Sequence, residues 1–188
     1  MPITLPGDPP PNPKHRWILP ALLLLLLCGL LTPLGVIYYH NKVIEDNQNA
    51  TIDALRRYAV LQREFFAREK RYAAAFDELG DPAWAQVRGL PSLNATTYHG
   101  YRFRLFTSQN KDVAGGARNF IDANGRLAHG YALMAVPSQY GVTGRLTFMI
   151  SAPGDEIFYY DFGVKTDEAL RGSDDYFVPK GAKSMRGG

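Results

Sequence analysis

The chain passes through three regimes of hydrophobic and polar patterning. From Trp17 to Tyr39 it reads WILPALLLLLLCGLLTPLGVIYY, uncharged and with Thr32 as its polar interruption. A helix rises about 1.5 Å per residue, and about 20 apolar residues cross a hydrocarbon core, so this tract predicts a transmembrane span. From Val43 to Leu79 the apolar positions Ile44, Ile52, Leu55, Tyr58, Ala59, Phe65, Phe66, Tyr72, Phe76 and Leu79 recur mostly at three- and four-residue steps. That spacing predicts one long amphipathic helix, with Arg56, Arg57, Arg63, Arg68 and Lys70 on its other faces, a Glu64–Arg68 pair one turn apart, and a stop at Gly80-Asp81-Pro82.

Beyond Thr96 the period shortens to two. Strands are expected over YRFRLF (Tyr101 to Phe106), YALMAV (Tyr131 to Val136), RLTFMI (Arg145 to Ile150) and EIFYYDF (Glu156 to Phe162). Alternation of this kind implies an antiparallel meander with one covered and one wet face. The predicted fold class is therefore α+β, a pilin-like order in which a transmembrane helix continues into an amphipathic helix packed on a four-stranded antiparallel sheet. The loop from Thr107 to His129 crosses between the first two strands. Four regions follow: a cytoplasmic proline-rich start (1–16), the anchor (17–39), an extracytoplasmic α+β domain (43–179) and a disordered Gly/Lys-rich tail (180–188).

The stretch PSQYGVTG (Pro137 to Gly144) joins the second and third strands. Pro137 cannot donate to a ladder, so it ends a strand or lies at an edge, and Gly141 and Gly144 are expected to supply positive φ. No nucleophile and base pair up within it, so it reads as a joint.

Composition changes this picture little. With 46% apolar and 21% charged residues the chain is that of a folded protein, and its acidic residues are interspersed among the basic ones. The net charge of +3 therefore gives no case for nucleic acid. One cysteine, Cys28, excludes an internal disulfide and a cysteine-rich metal site. Lys14 and Arg16 before the span, with Trp17, Tyr38 and Tyr39 at its ends, favour a cytoplasmic amino terminus. The expected location is the inner membrane, with the domain in the periplasm or outside the cell. A cleaved signal peptide would need a small-residue cleavage site, and lipidation at Cys28 would need a smaller residue than Leu27 before it.

The candidate chemistry is sparse. Asp122-Ala-Asn-Gly125 has the oxygen ligands that open a calcium loop but reads first as a tight turn. Asp155, Asp161, Asp174 and Asp175 could together form a calcium site, while Asp155 and Glu156 otherwise read as a solvated hairpin. His99 and His129 flank the first two strands but lack a third partner for zinc or acid–base work. There is no phosphate-binding loop, dinucleotide fingerprint, G-x-S-x-G or H-E-x-x-H. Asn94-Ala-Thr96 fits a glycosylation acceptor, which means little in a bacterial chain. We therefore assign no catalytic, cofactor-binding or metal residues and no cofactor.

Several strings carry a resemblance: GGA (Gly115 to Ala117), NG (Asn124, Gly125), GYALMAVPSQYGVTGRLTFMIS, GDEIFYYDFG and, upstream, YHGYRFRLFT (Tyr98 to Thr107). They resemble the domain of unknown function 2950 family of exported bacterial proteins, from about Asn49 to Pro179, with TDEALRGSDDYFVP (Thr166 to Pro179) similar to its closing segment. More loosely, NATIDALRRYAVLQREFFAREKRYAAAFDELGDP is similar to the helix of type IV pilins and type II secretion pseudopilins. Pilins open their span with a cleavable GFTLIE motif, whereas here Gly7 is followed by DPPPNPKHRWIL and no acid lies in the span. The first resemblance implies an exported protein without an assigned activity. The reading taken from the residues is a non-enzymatic envelope protein, held by membrane lipid through its span and working through protein partners, with no nucleic acid and no small-molecule substrate identified. A pseudopilin-like subunit, or a ligand-binding or enzymatic domain using the 107–129 loop, are the alternatives.

Overall fold

A computed structural model describes residues 18–85, 97–113, 115–165 and 175–185. The proline-rich start, Trp17, Asn94–Thr96, the 166–174 part of the closing segment with Asp174, and the last three tail residues lie outside the described residues. Residues 1–41 and 42–188 are two compact units.

In the first unit the described backbone is helical from Ile18 onward, as the start of α1 (Ile18–Glu69), which runs through Pro33. Its described side chains include the exposed apolar residues Leu22, Leu23, Leu26, Leu34, Val36 and Ile37. Among the described residues no helix is long and apolar enough to cross a membrane. The side chains of Leu24, Leu25, Leu27, Cys28, Leu30 and Leu31 are not among those described.

The second unit is α+β. From Lys42 onward α1 shows the predicted stripe: Ile44, Ile52, Leu55, Tyr58, Ala59 and Phe65 are buried, and most of them share a core with the sheet. The helix ends at Glu69, ten residues before Leu79. The pattern RYAAAF continues the helical period, but Lys70 takes a left-handed φ of 56° and the chain turns back. Gln62 makes the turn possible. Its fully buried carboxamide donates to the Ala73 carbonyl at 3.0 Å and to the Tyr58 hydroxyl at 2.6 Å, and accepts from the Ala73 N–H at 2.8 Å. A backbone leaving a helix inside a core must find partners for its polar groups, and one side chain supplies both here. Phe76 and Leu79 then fold under the helix through a 3₁₀ turn (Asp77–Leu79), followed by α2 (Pro82–Ala85) carrying buried Trp84. The Glu64–Arg68 pair does not close; Arg68 lies 3.9 Å from Glu69 and over the Phe65 ring instead.

The main sheet is antiparallel with order β1-β4-β5-β6-β7: β1 (Tyr101–Phe106), β4 (Ala132–Pro137), β5 (Thr147–Ser151), β6 (Glu156–Tyr160) and β7 (Lys183–Ser184). It has five strands rather than the four expected, because two residues of the supposed disordered tail pair with Phe158 and Tyr159 of β6. The loop between β1 and β4 carries a separate hairpin of β2 (Ser108–Gln109) and β3 (Arg118–Asn119).

The expected wet face is not wet. One face meets α1 through Tyr101, Phe103, Tyr131, Leu133, Phe148 and Ile150. The other presents Phe106, Ala132, Met134, Val136 and Met149 to Val113, Phe120 and Leu127 of the long loop and to Tyr176. The loop is thus a second cover, and Ala132 to Val136 are sealed on both sides.

The 137–144 stretch is a joint, and it is also where the helix docks. Pro137 ends β4 opposite Tyr101. Asn47 of α1 donates to the Thr143 carbonyl at 3.0 Å, and the Gln48 side-chain oxygen accepts from the N–H groups of Arg145 and Leu146 at 3.2 and 3.4 Å. Gly141 has the expected positive φ of 75°. Gly144 has not; it is needed for space, since a Cβ there would overlap the Tyr101 ring, whose hydroxyl donates to the Leu146 carbonyl.

Two stability predictions follow from these contacts. Gln62→Leu leaves the Ala73 N–H and C=O buried without partners and should lower stability by about 3 kcal/mol in denaturant titration. Gly144→Ala should cost about 1–3 kcal/mol by overpacking against Tyr101. Unfolding midpoints equal to the parent's would contradict each argument in turn.

Candidate functional site

Among the described residues, two places are of interest for their polar groups. The first is a chain of contacts between α1 and the β5–β6 turn. The Tyr131 hydroxyl donates to Asp155 Oδ1 at 2.5 Å, and Arg63 Nε of α1 lies 3.6 Å from Asp155 Oδ2. Tyr58 and Tyr72 pack edge-on against the Tyr131 ring, each at 5.3 Å between centroids. Burial pushes the Tyr131 phenol far above its ordinary pKa, and the Asp155 carboxylate adds to the shift. Burial likewise raises Tyr58, against the opposing effect of its bond with Gln62. Phenols held this firmly in the neutral form serve structure, Tyr131 donating to Asp155 and Tyr58 accepting from Gln62. The chain fixes Asp155, whose φ of 48° is unusual for a residue with a side chain.

The second place is a cleft of about 570 Å³ in the second cover of the sheet. Its walls come from three segments distant in sequence: the β2–β3 loop with Val113 and Gly115, the β5–β6 turn from Ala152 to Gly154, and Val178 to Lys180. Phe158 of β6 and the buried Gln109 also line it, Gln109 donating to the Gly116 carbonyl at 2.7 Å. Four charged side chains line it as well, Arg118 and Lys180 against Asp112 and Glu156. Glu156 accepts a hydrogen bond from Ser184 of β7. Arg118 lies across Gly115, donating from Nε to the Gly115 carbonyl at 3.1 Å. Gly115 has φ of 95°, and a Cβ there would press on the guanidinium at 2.5 Å, so glycine is what lets arginine lie flat.

The residues singled out in the sequence are dispersed. Asp122 closes the tight turn, accepting from the N–H groups of Asn124 and Arg126 at 2.8 and 2.9 Å, and the Arg126 bond foremost lowers its carboxyl pKa. Asp155, Asp161 and Asp175 are each engaged elsewhere, with Tyr131, with the Gly163 N–H and with Ser108 respectively. Among the described residues no group of three His, Cys, Asp or Glu is placed to hold a metal. His99 packs edge-on against Tyr98, His129 donates its backbone N–H to Phe120, and neither lines the cleft. A pocket on the 107–129 loop was expected, as one alternative, beside His99 and His129; the loop does line the cleft through Gln109, Asp112, Val113, Gly115 and Arg118, but away from both histidines. Of the cleft's parts, the GGA string was visible as a motif, but nothing in spacing joins residues 115, 153 and 179.

Residues 76–182 match the family described as Protein of unknown function (DUF2950), more than half of the 188 residues. No curated protein and no solved structure matches the chain.

Burial raises the pKa of Tyr58, Tyr101, Tyr131 and Tyr176 well above the ordinary value near 10. The stability their neutral forms contribute is therefore complete below about pH 10 and is lost as pH climbs through the raised values. In an alkaline titration followed by near-ultraviolet phenolate absorbance, these four of the 11 tyrosines should ionise only as circular dichroism reports unfolding. Ionisation of all of them in a still-folded domain would refute the burial.

Proposed function

The chain belongs to the DUF2950 family, and from that premise we propose that it is a single-span envelope protein whose α+β domain binds partners and carries out no turnover. The observation that carries this reading is the uncharged tract from Trp17 to Tyr39, too long and too apolar for a water-facing surface. The exposed leucines, valine and isoleucine of the described part of α1 agree with it, since lipid is the medium that such a surface suits. The basic residues Lys14 and Arg16 support a cytoplasmic amino terminus and an outer domain.

The binding role is supported by how the domain uses its polar groups. Asp155, Gln62 and Asp81 are each spent on joining segments: Asp155 to Tyr131 and Arg63, Gln62 to Ala73, and Asp81 to Arg57 at 2.5 Å. The second reading is a pseudopilin-like subunit. One observation favours it: α1 is a single helix of 52 residues whose carboxyl-terminal part packs on an antiparallel sheet, as in the pilin order. Its test is processing of the amino terminus in the native membrane, which that reading requires and the anchor reading does not.

Anchoring is tested by alkaline carbonate extraction of membranes from cells making the full chain. The chain should stay with the membrane. Leu23→Arg with Leu26→Arg, each costing about 3 kcal/mol at a helix centre, should move it to the soluble fraction. A parent chain released by carbonate would overturn the proposal.

A further inference from the structure

A sheet with both faces covered has no need of a hollow, yet the second cover leaves one of about 570 Å³. That volume lies in the range of small-molecule sites, which are largely apolar with a few placed polar groups. Here Val113, Pro153, Phe158 and Val178 provide the apolar surface. The charges around them have a particular balance: two cations, Arg118 and Lys180, and two carboxylates, Asp112 and Glu156. A ligand with a single net charge would satisfy one pair and leave the other facing it. A ligand with one charge of each sign and an apolar body satisfies both.

We infer that the cleft is a binding site for a short peptide with free ends and apolar side chains, its carboxylate taken by Arg118 and Lys180 and its ammonium by Asp112 and Glu156. Three features of the site favour this ligand. Among the described residues neither Arg118 nor Lys180 is in an ion pair, so both cations are available. Arg118 is held in place before any ligand arrives, by its bond to the Gly115 carbonyl and its seat on the Gly115 Cα. A guanidinium fixed in this way loses little freedom on binding, and its remaining donors suit the two oxygens of a carboxylate. The cleft's volume of about 570 Å³ has room for more than a single amino acid.

The inference deepens the proposed binding role and is read out separately from anchoring, so either can fail alone. The full chain in detergent micelles is titrated by calorimetry with the tripeptide Leu-Ala-Phe, its amino-acetylated form, its carboxyl-terminal amide, and free leucine. The free tripeptide should bind, and capping either end should weaken it about tenfold, or about 1.4 kcal/mol. In the double variant Arg118→Gln, Lys180→Gln the amide and the free acid should bind alike. Gly154 lines the cleft with open space where a Cβ would go, so Gly154→Phe should fill the hollow and abolish binding while the thermal midpoint holds. Leucine binding as tightly as the tripeptide would assign the site to amino acids and overturn the peptide length. No binding by the parent, or equal binding by capped and free peptides, would overturn the site.

Discussion

Residues Ala132 to Val136 of β4 are sealed from water on both faces, and a strand in that position requires two covers. The rest of the domain can be understood as the supply of those covers. The first is a single element, α1, whose stripe from Ile52 to Phe65 lies on Tyr101, Tyr131 and Phe148. The second is assembled from pieces, Val113, Phe120 and Leu127 of the long loop with Tyr176 from beyond β6. Each buried phenylalanine or leucine contributes about 2 kcal/mol of transfer free energy, so neither cover is dispensable in a domain of this size.

The two covers are joined to one another as well as to the sheet. Tyr72 donates its N–H to the Leu127 carbonyl at 2.6 Å, and its ring touches both cores. That contact exists because α1 stops at Glu69 and the chain turns back at once. Gln62 holds the turn and Phe76 and Trp84 fill in behind it, stacked at 5.2 Å. At the other end of the packed helix, Asn47 and Gln48 bond to the joint between β4 and β5. The joint between β4 and β5 therefore also serves as a docking point for a helix.

Most of the sheet was legible because alternation is a local property. Tyr101–Phe106 was bounded correctly at both ends, and β4, β5 and β6 within one or two residues. The run ALMAV also contained the news of the second cover, since it has no polar position for a wet face, but its neighbours RFRLF and RLTF do alternate and set the expectation. β7 was not legible: two residues, one a lysine, gain their strand character from the β6 edge they meet and not from propensity. The end of α1 was hidden for a similar reason. Alanines 73 to 75 favour helix, and a glutamine eleven residues earlier overrides them through bonds that only tertiary structure creates. The cleft was least legible of all, since its walls come from segments about 25 to 65 residues apart and its key glycine is recognisable only once Arg118 is seen lying on it.

The unequal construction of the two covers also decides where adaptation can occur. A helix cover is cooperative, and a gap in it would expose Tyr58 and Leu55 together. A cover of loops can leave a hollow at a seam without exposing its neighbours, because each piece is tied down by its own bonds. At this seam the ties are specific. The β5–β6 turn is held by Asp155 between Tyr131 and Arg63, of which the buried phenol is the stronger partner, since Arg63 is largely exposed and its ion pair is screened. The facing loop is held by Gln109 on the Gly116 carbonyl. Both walls are thus fixed from beneath by buried groups while their outer sides carry charge. A surface of that kind gives up little conformational freedom when it is occupied, which is the condition a loop-built site must meet to bind with useful affinity.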